Sequence, residues 1–209
     1  MFFSKNESIR IVNQLNDCWQ GETENGNKIL MGYFSFFGET ISYKNSFWQN
    51  NNASNIWKEK FHCFDWLRDL RSTNTSKSAL YAREIIKNWI KNHNTWSPLE
   101  WRSDILGKRI SSLLSNLTFF FSSADSQFQE LLIRSVCKQG HFLVKNNLQD
   151  IFGHQRIEGV KGLIALSSSL ETFKKYRKNS LRLLIREINN QVLDSCLLYT
   201  SDAADDIPG

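Results

Sequence analysis

The sequence predicts a mainly α-helical fold, in which antiparallel helical hairpins form part of an α/α toroid behind a short β-containing N-terminal segment. Three observations lead to this prediction. Apolar residues recur at steps of three and four over most of the chain after residue 54. The 209 residues include two prolines, so long helices are not interrupted. The breaks between the helical stretches are short, which makes neighbouring helices antiparallel.

Residues 1–53 are predicted to form the N-terminal segment with short strands. Asn25-Gly26 is typical of a tight turn, because both residues tolerate a positive φ. The aromatic and β-branched residues that follow predict strands over Lys28–Phe37 and Thr40–Tyr43.

The helical domain is predicted to span residues 54–194. Its six expected helices cover residues 54–71, 76–92, 103–121, 126–147, 155–171 and 177–194. Ser76 and Asp125 are expected N-caps, since their side-chain oxygens can accept a hydrogen bond from a first-turn amide. The third and fifth helices are apolar over wide faces, which indicates burial on more than one side. Inner helices of a toroid are buried in this way.

Residues 195–209 are predicted to be a non-native tail. The stretch LLYTSDAADDIPG resembles translated sequencing-adapter read-through, so the native sequence is expected to stop near Ser195 or Cys196. The last fourteen residues contain three aspartates and no basic residue. The rest of the chain is therefore even more basic than the overall net charge of +5.

A basic body indicates an anionic partner such as an acidic polysaccharide, a nucleic acid or an anionic surface, unless the charge serves solubility alone. The basic residues are spread over many helices, which argues against a nucleic-acid partner. Four widely spaced cysteines and the lack of HxxxH or HxH spacing predict neither a metal nor a cofactor. No apolar run is long enough for a membrane span.

Two groups of aromatic residues have different expected roles. Trp57, Phe61 and Phe64 share one helix face and are expected to lie in the core. Trp96 and Trp101 lie in the predicted loop TWSPLEWRSD, where an indole either stacks on a sugar ring or anchors the loop.

Charged residues form two further candidate groups. In FDWLRDLR, Asp65 and Asp69 are one helical turn apart, which allows an acid/base pair, but the alternating charges favour a salt-bridge network. His154 precedes a predicted helix and is close to Arg156, a pattern that favours anion binding; an ordinary exposed loop histidine is the alternative.

Several ordered motifs together resemble the N-terminal helical domain of the heparinase II/III family of polysaccharide lyases, over about residues 9–194. These motifs are FHCFDWLRDLR, AREIIKNWIKNH, the W-x-x-D-I-x-x-x-R-I pattern of TWSPLEWRSDILGKRISSLLSN, and QVLD. The resemblance implies an α/α toroid followed by β-sandwich domains, a periplasmic location (although no signal peptide is visible), and cleavage of uronate-containing polysaccharides by β-elimination.

The resemblance also implies site residues. In this family an Asn, Gln or His neutralises the uronate carboxylate, and a Tyr or His transfers the proton. Many members have an Asn-His pair where this chain has HQRIEG, so His154 is the catalytic candidate by position. Trp96, Trp101, Arg109 and Arg156 are the expected substrate-binding residues. The catalytic Tyr is expected beyond the native residues, so this chain by itself is expected to be inactive.

Two other functions remain open at this point. One is a non-catalytic helical module that binds an anionic glycan or a partner protein. The other is a toroid glycoside hydrolase that uses two carboxylates, either Asp65 or Asp104 together with Glu158, which would have to converge on one cleft.

Overall fold

The computed structural model describes residues 10–43 and 52–202 and confirms the mainly helical fold with one small antiparallel sheet. In chain order the elements are α1 (Thr23–Leu30), β1 (Tyr33–Phe36), β2 (Glu39–Ser42), α2 (Asn55–His62), α3 (Leu67–Ser72), α4 (Ser76–His93), α5 (Ser103–Ser115), α6 (Leu117–Phe120), α7 (Ser126–Asn146), α8 (His154–Ser169), a 3₁₀ helix (Glu171–Tyr176) and α9 (Arg177–Asp202). Among these described helices, none is long and apolar enough to cross a membrane.

The β-hairpin is short and tightly turned. Tyr33 pairs with Ser42 and Phe36 with Glu39. The two residues between the strands, Phe37 and Gly38, both have positive φ angles, 53° and 81°. Two left-handed residues match the twist of a two-residue hairpin, which explains why a glycine stands there.

The predicted turn at Asn25-Gly26 is wrong, because both residues lie inside α1. Gly26 is buried against α3, and a Cβ there would lie 2.2 Å from the carbonyl oxygen of Asp69. The glycine therefore allows close helix packing and not a turn. The predicted strand over Lys28–Phe37 is correspondingly reduced to β1.

The stretch 54–71 forms two helices, not the single predicted one. Phe64 adopts a left-handed conformation with φ of 62° and breaks the helix after Cys63. This break turns both Phe64 and Trp66 into the core, where the Trp66 indole donates a hydrogen bond to the carbonyl of Phe61 at 3.0 Å. Burial of the two large rings outweighs the cost of the strained residue.

The stretch 103–121 is likewise divided, into α5 and α6. Asn116 leaves the helical conformation, and its side chain donates to the carbonyl of Ser112 at 2.9 Å. An asparagine that bonds to the preceding turn competes with the backbone ladder and ends the helix.

The N-caps agree with the prediction at one of two positions. Asp125 accepts a hydrogen bond from the amide of Phe128 at 2.7 Å, as predicted. Thr75 takes the role predicted for Ser76 and accepts from the amide of Ser78 at 3.1 Å. The last helix, α9, continues to Asp202, past the predicted boundary at residue 194.

Helices α5 and α8 pack side by side in the same direction and are the inner pair of the fold. The amide of Ser103, at the start of α5, donates to Asp150, just before α8. Further along, a Cβ on Gly107 would lie 2.2 Å from the carbonyl oxygen of Glu158, and one on Gly162 would lie 2.4 Å from the Cα of Gly107. Glycines allow this close contact between backbones.

The aromatic core lies under the hairpin. Trp57, Phe61 and Phe64 are fully buried, as predicted. The rings of Trp57 and Phe61 stack with centroids 5.1 Å apart, and Phe34 of β1 meets Phe61 edge-on at 4.9 Å. The N-terminal segment is thus packed on the helical domain through aromatic contacts.

Candidate functional site

The N-terminal ends of α5 and α8 open on one face of the protein. We call this the loop face; it consists of the connections 94–102 and 147–153 and the first residues of the two helices. Asp150 joins the two connections, because one oxygen accepts from the amide of Ser103 at 2.9 Å and the other from the side chain of Asn146 at 2.6 Å. The Asn146 amide also donates to the Ser103 hydroxyl at 3.0 Å.

Each of the two connections exposes one large aromatic side chain. Trp96 is 63% exposed and Phe152 is 80% exposed. Exposing such rings to water is unfavourable, and rings of this kind often contact a ligand. Trp96 therefore has the exposure that a sugar-stacking residue needs, and its contact with a sugar stays a prediction.

Trp101 has the other role considered from the sequence, because it anchors the loop. Its side chain is buried, and its indole donates to the carbonyl of His93 at 3.1 Å. Phe142 packs edge-on against the ring at 5.3 Å, and the ammonium of Lys138 lies 5.8 Å from it. In this arrangement Trp101 does not present its ring to a ligand.

His154 is the first residue of α8, and its side chain is exposed on the loop face. The preceding Gly153 has φ of 56° and ψ of −141°, a conformation that favours glycine. Within the described residues, no side chain caps the first turn of α8. An exposed histidine beside uncapped amides at the positive end of a helix can bind an anion.

Arg156 holds the loop before α8. Its Nε lies 3.1 Å from a carboxylate oxygen of Glu187 in α9, and its Nη1 donates to the carbonyls of Leu148 at 2.9 Å and Ile151 at 3.4 Å. The guanidinium is half-buried and already has three acceptors. Arg156 thus positions the backbone around His154 and is less available to a substrate than the sequence suggested.

Arg109 is fully buried, which contradicts its predicted contact with substrate. Its guanidinium donates to the Gln139 side chain at 2.8 Å, to the His62 carbonyl at 2.9 Å and to the Glu100 carbonyl at 2.7 Å. Burial lowers the pKa of Arg109 to about 9, against the opposing effect of nearby acidic groups such as Glu100. The Arg109 guanidinium is therefore positively charged at neutral pH, and it holds the loop face in position from beneath.

His62, His93 and Glu100 meet beside this arginine, on three separate segments of the chain. One oxygen of Glu100 lies 3.6 Å from Nε2 of His62 and 3.5 Å from Nδ1 of His93. The second oxygen accepts a hydrogen bond from Ser97. The spacing in the sequence gives no sign of this cluster, because helix packing and not a motif brings the residues together.

The cluster has the composition of a metal site, which the sequence did not predict. The indole of Trp89, which can only donate, lies 2.9 Å from Nδ1 of His62. Nδ1 must therefore accept, so Nε2 of the neutral ring carries the proton and points it towards Glu100. A metal ligand needs a lone pair on that nitrogen, so the arrangement fits a hydrogen-bond network better than a metal site.

Both histidines of the cluster favour the neutral form. Burial, followed by the nearby His93, Arg109 and Lys58, lowers the pKa of His62 well below its ordinary value. Burial also lowers the pKa of His93, with Glu100 acting in the opposite direction. The charge of Arg109 is thus close to two uncharged rings and one carboxylate.

The carboxylates proposed for a hydrolase each have a cationic neighbour. An oxygen of Asp65 lies 2.7 Å from the ammonium of Lys60, as expected for a salt bridge. Both oxygens of the buried Asp104 accept from Arg102, at 2.7 and 2.9 Å. The Glu158 carboxylate oxygens lie 4.0 Å from the ammonium of Lys108 and 3.8 Å from that of Lys161. Carboxylates paired in this way are held for structure, which does not favour the hydrolase alternative.

The Asp69 carboxylate also has a structural role. It accepts a hydrogen bond from the amide of Glu22 at 2.9 Å. Burial raises its pKa, against the lowering effect of that hydrogen bond. The nearby Arg68 binds Asp17 at 3.2 Å instead. FDWLRDLR therefore ties the N-terminal segment to α3, as the salt-bridge interpretation predicts.

Comparison with solved structures gives matches to heparan sulfate lyases. The heparan sulfate lyase HepC from Pedobacter heparinus matches with a TM-score of 0.68 and 21% identity over 80% of this chain and 29% of that chain. The heparinase III BT4657 gene product matches with a TM-score of 0.67 and 17% identity over 84% of this chain and 32% of that chain.

No family model and no curated protein matches the chain. The chain spans less than a third of the length of the lyases that it resembles in structure. At these identities the likeness establishes the fold, which is that of the helical toroid domain of heparinases.

Proposed function

We propose that this chain is a helical domain of a polysaccharide lyase and binds a uronate-containing polysaccharide on its loop face. The observation that carries this proposal is the position of His154, exposed as the first residue of α8 on the face that also exposes Trp96. The toroid fold shared with heparan sulfate lyases and the basic character of the chain support it.

The chemistry assigned to His154 is recognition of the uronate carboxylate. β-Elimination requires removal of a proton from the carbon beside that carboxylate, and a hydrogen-bond donor on the carboxylate makes the proton more acidic. The His154 ring and the uncapped amides of α8 supply such donors. Trp96 supplies a flat apolar surface for a sugar ring.

Binding of a labelled uronate-containing hexasaccharide, followed by fluorescence anisotropy, tests the proposal. We expect His154→Ala and Trp96→Ala each to raise the Kd roughly tenfold, which corresponds to about 1.4 kcal/mol. Trp19→Ala is the matched control for Trp96, because Trp19 is similarly exposed, at 68%, but lies in the N-terminal segment. An equal loss of affinity in Trp19→Ala would exclude the loop face as the specific site.

The absorbance of unsaturated uronate in the same mixtures measures elimination directly. Turnover that disappears in His154→Ala would assign a catalytic role to this residue. Binding without turnover is the result expected if the catalytic tyrosine lies outside the residues present here, and it is also what a non-catalytic glycan-binding module would give. A longer segment of the gene would distinguish these two cases.

A further inference from the structure

A groove separate from the loop face lies between α7, α8 and α9. Its volume is about 510 Å³. The polar side chains at its rim are Asn147, Asn179, Arg182 and Arg186, and Leu163 and Leu183 form part of its apolar floor. A cavity of this size, with an apolar floor and a few polar groups at the rim, is typical of a ligand site.

Two of the residues that line the groove, Arg182 and Arg186, are cationic, and the stretch around them adds further positive charge. Residues 174–186 contain six basic residues and no acidic one. The nearest carboxylate to Arg186 is that of Glu187 at 3.4 Å, but Glu187 is closer to Arg156, at 3.1 Å. In the part of the chain that the structure describes, no carboxylate lies within 4.0 Å of the exposed Arg182. The positive charge of this surface is thus only partly neutralised.

One end of the groove reaches the loop face. Asn147, which lines the groove, is the first residue of the connection 147–153. Further along α9 than the groove-lining Arg186, the Gln191 side chain donates to the carbonyl of Gly153 at 2.8 Å. A chain-like anion bound in the groove would therefore reach the loop face at Asn147.

We propose that this groove is a second binding site for an acidic polysaccharide, in which Arg182 and Arg186 bind carboxylate or sulfate groups. These two side chains are one helical turn apart, so they can contact one sugar unit or two adjacent ones. The C–H face of a sugar ring fits the floor at Leu163 and Leu183, while the two asparagine amides supply hydrogen bonds to hydroxyls.

The lining favours a glycan over a single-stranded nucleic acid. Nucleic acids bound without sequence preference stack their bases on open aromatic rings. The one aromatic ring in this lining, Tyr176, has the ammonium of Lys175 5.2 Å from its centre. The proposal depends on the groove itself and not on His154, so it extends the proposed function and can fail independently of it.

The test is the affinity of the full chain for a labelled heparan sulfate hexasaccharide, measured by fluorescence anisotropy at several salt concentrations. We expect the double variant Arg182→Gln/Arg186→Gln to raise the Kd about tenfold and to weaken its salt dependence, the effect of losing two exposed ion pairs. Lys77→Gln/Lys87→Gln on α4 removes the same charge from exposed positions outside the groove and should leave the Kd within about twofold of the parent.

Three results would overturn the proposal. One is an equal loss of affinity in the α4 control, which would mean that only net charge matters. Another is an unchanged Kd in the groove variant. The third is equally tight binding of a single-stranded DNA of the same charge, lost in the same groove variant.

A loss confined to Trp96→Ala and His154→Ala would support the loop face alone, whereas a loss confined to the groove variant would support the groove alone. Circular dichroism spectra establish that each variant is folded.

Discussion

The guanidinium carbon of Arg109 lies 4.1 Å from the centre of the Trp89 ring, with no part of Arg109 exposed to solvent. Each of its three hydrogen bonds goes to a different segment: α2, the connection 94–102 and α7. The arginine thus joins four parts of the fold beneath the loop face, since Trp89 belongs to α4. All three acceptors are uncharged, so the hydrogen bonds and the ring face stabilise the buried cation together.

Arg109→Ala should lower the free energy of unfolding by about 3–5 kcal/mol, because three buried acceptors lose their donor and a cavity remains. Urea unfolding followed by circular dichroism measures this change. Arg134→Ala is the control: Arg134 is exposed and pairs with Glu130 one turn away, so its loss should cost about 0.5 kcal/mol or less. Unchanged stability of Arg109→Ala with weaker glycan binding would instead restore the substrate-binding role that the sequence suggested.

The sequence predicted those features that depend on local patterns. Helical periodicity located α4, α7 and most of α5 and α8, and the aromatic face of Trp57 and Phe61 was correctly assigned to the core. The errors arose where tertiary packing determines the backbone conformation. Gly26 belongs to an Asn-Gly pair that is typical of a turn, but in the structure it allows close contact between two helices. Phe64 interrupts a stretch with helical periodicity, and its ring is buried as a result.

The candidate site was predictable only in part, for the same reason. His154 and Trp96 are both exposed; Trp96 lies in the loop predicted from the sequence, whereas His154 is the first residue of α8 and not a loop residue before it. Arg109 lies in a predicted helix, but the residues around it in the sequence do not reveal whether its side chain faces solvent or the centre of the fold. The cluster of His62, His93 and Glu100 depends on contacts between distant segments, which a single sequence does not display.

The protein should become less stable as the pH falls below about 6.5. Burial lowers the pKa of His62 and His93 in the folded chain, so the unfolded chain binds more protons over this range. The stabilisation that the two neutral histidines contribute is complete above the pKa that they have in the unfolded chain. It is lost as the pH falls towards their lower pKa in the folded chain. The slope can reach about 1.4 kcal/mol per pH unit for each histidine.

Urea unfolding at pH 7.5 and pH 5.0 measures this effect. The difference in the free energy of unfolding between the parent and His62→Gln should be largest at pH 7.5. It should be smaller at pH 5.0, where the parent loses the stabilisation from the neutral His62 ring. Lys77→Gln, which retains all four histidines, should follow the parent at both pH values. An equal difference at both pH values would mean that the His62 ring does not change its protonation over this interval.

The cysteines should differ in reactivity. Cys63 and Cys137 are buried, and burial raises the pKa of each thiol to about 12, whereas Cys18 is exposed. Because the thiolate is the reactive form, only Cys18 should react rapidly with a maleimide in a Cys196→Ser variant of the folded chain. Mass spectrometry should show one added label before urea is added and three after it. Rapid addition of a second label would indicate that the core near Cys63 or Cys137 opens readily.

The contact between α5 and α8 should not tolerate a side chain at Gly107. An added Cβ would lie 2.2 Å from the carbonyl oxygen of Glu158, a backbone atom that cannot move without moving α8. Gly107→Ala should therefore lower the free energy of unfolding by about 3 kcal/mol, at the upper end for overpacking. It should also weaken glycan binding, since the two helix starts on the loop face would separate.

Gly38→Ala is the control. The φ of Gly38 is 81°, but no atom lies within 4 Å of the added Cβ, so the substitution should lower the free energy of unfolding by only about 1 kcal/mol and leave binding unchanged. Equal destabilisation by the two substitutions would mean that α5 and α8 are not in close backbone contact.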